Sequence, residues 1–107
     1  MSLNLGNVIA LHNFKFGADK TWSEVATVTT AEQTVTVPGL AVGDMVYVSK
    51  PTAQAGLGVA GARVSAADTL AITFVNPTAG GLTPTASEEW LGTVIKSEQP
   101  VPSNAVI

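Results

Sequence analysis

The middle of this chain alternates apolar and polar side chains with the period of two that marks β-strands. The cleanest run is Thr69 to Asn76, where Leu70, Ile72 and Phe74 share one face and Ala71, Thr73 and Val75 the other. Met45 to Lys50 repeats the plan, with Val46 and Val48 opposite Met45, Tyr47 and Ser49. Gln33 to Val37 sets Val35 and Val37 against Thr34 and Thr36. The β-branched run Glu24 to Thr29 precedes it, and Thr30, Ala31 and Glu32 are predicted to turn between the two as a hairpin. Val59 to Val64 is predicted as a strand whose Ala and Gly residues admit close backbone approach. Ser87 to Lys96 is the last strand, apolar on both faces around Trp90, Leu91, Val94 and Ile95. Pro38-Gly39, Pro51, the Ser65 to Asp68 turn and the Pro77 to Pro84 loop punctuate these runs. Short strands about ten residues apart, with no helical period, predict an all-β fold: a small β-sandwich or jelly-roll-like barrel.

The flanks differ from this core. Residues 1–20 hold Leu3, Leu5, Ile9, Leu11, Phe14 and Phe16, but Gly6, Asn7, Asn13 and Gly17 interrupt any regular pattern. They are expected to form an extended N-terminal arm or short strand that lies on a neighbour. Residues 98–107 contain Pro100 and Pro102 and are expected to be an extended C-terminal tail, with Val101, Val106 and Ile107 as its contacts. The β domain proper is then residues 21–97. An extended chain spans about 3.3 Å per residue, so the leader has a reach on the order of 60 Å.

Composition sharpens the expectation. The chain has 107 residues, enough for one domain with a modest core. Only 12% of residues are charged, about half the usual share. So bland a surface is poorly solvated unless copies of the chain or a host assembly cover part of it, which points to a homo-oligomer. The net charge is −3 and the five basic residues are scattered, which argues against nucleic acid as a partner. No run approaches the roughly 18 apolar residues of a membrane span, no signal peptide is visible and there is no cysteine. The expectation is a protein made in a cytoplasm without a membrane partner.

Nothing in the sequence assembles into chemistry. His12 is the single histidine and has only Asn13, Lys15 and Asp19 near it, short of the three ligands a metal site needs. Glu88 and Glu89 are adjacent, so in a strand they point to opposite faces and cannot work as a pair. Asp44 and Asp68 sit in turns and are expected to cap backbone N–H groups. Gly56, Gly58 and Gly61 precede a strand, not the helix a phosphate loop requires. Arg63, the single arginine, stands mid-strand as either an interface or a surface residue. Trp22 and Trp90 are expected in a core or interface. No catalytic residue, metal site or cofactor is expected, and the chain is not expected to be an enzyme.

One block carries a resemblance. Pro38, Gly39, Val42, Gly43 and Asp44, followed by Val64, Ser65, Asp68, Leu70, Ile72, Phe74 and Asn76, form a pattern similar to that of small head decoration (cement) proteins of tailed bacteriophages. The resemblance spans about the middle half of the chain. It implies a β-sandwich and a structural role on the outer surface of the virion capsid, with the major capsid protein as partner and a trimer, or a dimer, as the working unit. Leu3, Leu5, Ile9, Leu11, Phe14, Phe16, Arg63, Val101, Val106 and Ile107 are the expected capsid or subunit contacts. A phage tail, fibre or baseplate β module is the alternative, since related hairpins occur there. A carbohydrate-binding module using Trp22 or Trp90 is the second.

Overall fold

The computed structural model describes residues 9–97. These residues form six strands and no helix: β1 (Ile9–Phe16), β2 (Thr29–Thr36), β3 (Met45–Ser49), β4 (Gly58–Ala66), β5 (Thr69–Asn76) and β6 (Trp90–Ser97). They make two antiparallel three-stranded sheets, ordered β1-β6-β3 and β2-β5-β4. The sheets pack across one core in the manner of a small β-sandwich. β3 and β4 lie side by side and close one flank. The β1 and β2 flank stays open, and a cavity of about 240 Å³ beside His12, Phe14, Val37, Leu40 and Val94 marks the gap.

Alternation decides what the core contains. Leu70, Ile72 and Phe74 point inward from β5 and are fully buried, while Val46, Val64, Trp90 and Val94 meet them from β3, β4 and β6. Trp22 reaches the same core from the segment before β2, edge-on to Phe74 with ring centroids 5.2 Å apart. Phe16, Trp90 and Phe74 continue the aromatic cluster at 5.6 and 5.9 Å, spacings at which tilted and edge-to-face rings attract. Phe14 lies over Gly92, where any Cβ would collide with its ring.

Two elements depart from the sequence expectation. Of the two forms expected for the leader, residues 9–16 take the strand and not the arm, and β1 lies in the protein's own sheet instead of on a neighbour, pairing along its length with β6, from Ile9 opposite Ser97 to Phe16 opposite Trp90. The expected hairpin of residues 24–37 is absent too. Thr30, Ala31 and Glu32 run straight through β2, which pairs with β5 instead. The chain bends before them, at Val28 (φ 50°), and in residues 24–28 the only β-bridge is the isolated one of Val25 to Leu82. Glu32 tolerates mid-strand placement because it points outward and receives Arg63. Pairing with the strongest strand in the chain overrides local turn preference.

The two halves of the quoted pattern interlock. Asp68 adopts φ 57° in the two-residue connection between β4 and β5, a conformation Asp accepts more readily than most residues. Its Oδ1 accepts the Gly39 N–H at 2.8 Å, its own N–H donates to the Leu40 carbonyl at 2.8 Å, and its carbonyl accepts the Val37 N–H at 2.9 Å. The Pro38-Gly39 turn is therefore pinned onto the β4–β5 hairpin. Asn76, fully buried at the end of β5, donates to the Val25 and Gly80 carbonyls and accepts from the Thr78 N–H and hydroxyl. It fixes both the 77–81 loop and the segment leading into β2.

Candidate functional site

Register brings together a surface that the separate strands only hint at. On the outward face of the β1-β6-β3 sheet, Leu11, Ile95 and Met45 form one cross-strand row. Asn13, Thr93 and Tyr47 form the next, and Lys15, Leu91 and Ser49 the third. Leu11 is 64% exposed, Tyr47 64%, Leu91 54% and Met45 53%. Four large apolar side chains left in water side by side mark an interaction surface more often than chance decoration. The middle row is polar, and within it the Thr93 hydroxyl donates to Asn13 Oδ1 at 2.6 Å. A shallow depression of about 510 Å³ runs across the face between Lys15, Tyr47 and Leu91.

Charge is confined to the margins, and there it is paired. Glu89 leads into β6 and meets Lys15 at 3.4 Å, an exposed pair. Glu88 faces the other way, accepting from Lys50 at 2.8 Å and from the Thr52 hydroxyl, with the Glu88 and Lys50 side chains only 10% and 11% exposed. The Lys50 ammonium, helped by the Thr52 hydroxyl, holds the Glu88 carboxyl below the usual range. Asp44 accepts the Ala41 N–H at 3.0 Å, as a turn cap should, and is also paired with Lys96. Burial pushes its carboxyl up, but Lys96 and the Ala41 N–H outweigh that and leave it lowered. Glu88 and Glu89 precede the strand instead of lying in it, yet still point apart.

The expected contact residues divide. Leu11 lies in the apolar face. Phe14 is half-buried and Phe16 is buried against Trp90, so Phe16 is a core residue and not an anchor for a partner. A strand must point alternate side chains inward, and β1 spends Phe14 and Phe16 on that face. Ile9 opens β1 opposite Ser97. Leu3, Leu5, Val101, Val106 and Ile107 lie outside the described residues. Arg63 is exposed on the opposite sheet and reaches over β5 to grip Glu32 with two bonds of 2.7 and 2.9 Å. That fork lowers the Glu32 carboxyl and raises the guanidinium.

Met45, Tyr47, Leu91 and Ile95 were the functional candidates that patterning alone passed over. Their signal was present: β6 is apolar on both faces, and the face of β3 opposite Val46 carries Met45 and Tyr47. His12 is exposed, and among the described residues no group of three potential ligands is poised for a metal. Trp22 and Trp90 are 3% and 0% exposed, so neither offers a ring face to a sugar, and their role is packing. Both indole Nε1 atoms are buried without a hydrogen-bond partner. Comparison with family models, curated proteins and solved structures finds no match to this chain.

Proposed function

We propose that this chain is a structural virion protein, a capsid decoration (cement) protein that binds the outer surface of a phage head and ties neighbouring major capsid subunits together. The observation that carries the proposal is the exposed apolar outer face of the β1-β6-β3 sheet, a surface suited to burial between the chains of an assembly, which leaves the arms and the rest of the sandwich to meet the shell. The Pro38–Asn76 pattern and the low charge of the chain support it. In this reading the protein is made in the host cytoplasm and works on the virion as a homo-oligomer. The sandwich is jelly-roll-like, and residues 1–8 and 98–107 act as arms. Both segments join the sandwich at one place, where Ile9 and Ser97 are paired, so they would reach the shell from a common point. Several weak contacts on one rigid body add to a strong one, which suits a cement.

The test is binding to capsids that lack the protein, with copies located by imaging. Decoration spread over the whole shell is the expected result. A single axial position would transfer the protein to the tail, fibre or baseplate and overturn the proposal. Removing residues 1–8 and 98–107 together should weaken binding at least about tenfold while leaving the sandwich folded, because no described strand is shortened. A deletion extending to residue 16 is uninformative, since it removes β1.

A further inference from the structure

We propose that the outer face of the β1-β6-β3 sheet is covered by the same face of a second copy of this chain, related by a two-fold axis running along β6. The inference is independent of any capsid and concerns the protein in solution.

Size comes first. Leu11, Met45, Tyr47 and Leu91 are each more than half exposed and leave on the order of 450 Å² in water, the size of the largest apolar patch on a typical soluble monomer, which is often functional. With the polar row included, the face approaches roughly 700 Å² per copy, near the roughly 800 Å² each partner contributes to a stable complex. The face alone is therefore large enough for a dimer, without contributions from other segments.

Pattern selects the axis. A two-fold axis along β6 keeps each row at its own height and exchanges β1 with β3. Leu11 then meets the partner's Met45, Asn13 meets the partner's Tyr47, and Lys15 meets the partner's Ser49. On the central strand Leu91 and Ile95 meet their own copies. Apolar residues face apolar ones, the Tyr47 hydroxyl faces an amide, and the ammonium faces a hydroxyl at the wet margin. Glu89, on the same face just before β6, meets its own copy at the wet margin, where each carboxylate is paired with Lys15 of its own chain at 3.4 Å. A two-fold axis across the strands would instead set Lys15 on Leu11 and Met45 on Ser49, burying a charged stem against an apolar neighbour. Such an interface is isologous and closes on itself, so it stops at two copies.

The experiment is sedimentation velocity of the full chain and of surface variants at matched concentrations. The wild type is expected at twice the chain mass of 10.9 kDa. Leu11→Glu, and separately Leu91→Lys, should weaken the dimer at least about 100-fold, because each buries an unpaired charge. Two rescues then report the axis. Leu11→Glu with Met45→Lys in one chain should restore the dimer, since the two positions face each other across the interface. A mixture of Leu91→Lys and Leu91→Glu chains should form mixed dimers that neither forms alone. All three positions are exposed, and tryptophan emission from the buried core checks that each variant is folded. A monomeric wild type at high concentration, a trimer, or a dimer indifferent to these changes would overturn the proposal. Loss without rescue would refute the axis.

Discussion

Asn76 offers the sharpest test of how the sandwich holds its irregular segments. Replacing it with alanine removes two bonds given to the Val25 and Gly80 carbonyls and two accepted from Thr78. The losses are unequal. The Val25 carbonyl keeps the Leu82 N–H at 3.0 Å, and the Gly80 carbonyl keeps the Thr78 hydroxyl at 2.9 Å. The Thr78 N–H is left without its partner. At about 1 kcal/mol per neutral bond, discounted for the two carbonyls that retain partners, Asn76→Ala should cost about 3 kcal/mol. That is a large part of the roughly 5–10 kcal/mol expected for a domain of this size. Urea unfolding followed by tryptophan emission measures it, with a midpoint shift on the order of 1.5 M. Asn76→Asp separates geometry from charge. It preserves the edge that accepts from Thr78 but turns an oxygen toward two carbonyl oxygens. At pH 7 it should be at least as destabilising as alanine. Its carboxyl would titrate above the unfolded value of about 3.9, so the deficit relative to wild type should grow as pH rises through that folded pKa and shrink below pH 4. An Asn76→Ala cost under about 1 kcal/mol, or an aspartate variant as stable as wild type, would refute the clamp.

Two further outcomes follow from local chemistry. Glu88 is held below its ordinary pKa by Lys50 and Thr52, so its stabilisation is full above the unfolded value of about 4.3 and is lost as pH falls through the lower folded value. Acid unfolding of Glu88→Gln should lack that component, and the variant should be about 1–3 kcal/mol less stable at pH 7; a parallel pH profile would contradict the pair's role. Val28 is β-branched, 72% exposed and left-handed at φ 50°, so Val28→Asn should raise stability by about 0.5–1 kcal/mol in thermal unfolding, and an unchanged or lower Tm would argue against strain there.

The parts of the fold legible in the sequence are those whose signal is local. The β5 strand was readable to the residue because Leu70, Ile72 and Phe74 alternate without a break, and β3 because Pro51 stops it. The β1 strand was legible only as an arm or a short strand, since in IALHNFKF the polar His12 and Asn13 straddle both faces and blur the alternation. The sequence offers no clue that its partner lies at the far end of the described chain. The β2 error has a related cause: Glu32 looks like a turn residue until Arg63 is placed above it. The apolar face was half visible in Met45, Tyr47, Leu91 and Ile95, but only the strand register joins β3 and β6 into a surface. Side-chain amides went unread altogether. Gln33 exchanges two bonds with the Ser23 backbone and Gln54 ties the 83–85 segment, and nothing in their sequence neighbourhood announces it.

The position of β6 in its sheet has a consequence for how the protein is made. β1 and β3 each pair with β6 and not with each other. During synthesis the β4–β5 hairpin can close once Asn76 has left the ribosome, and β2 can join it at once. The other sheet has no ladder at all until its central strand, the last of the six, emerges. Until then β1 and β3 wait with unpaired edges and Trp22 lacks the Trp90 ring that will pack 5.6 Å from it. Pairing that spans so much chain is slow and exposes apolar surface meanwhile. Premature termination within residues 90–97 would therefore cost one of the two sheets, not one strand of six, and the second sheet should form only once that stretch has emerged.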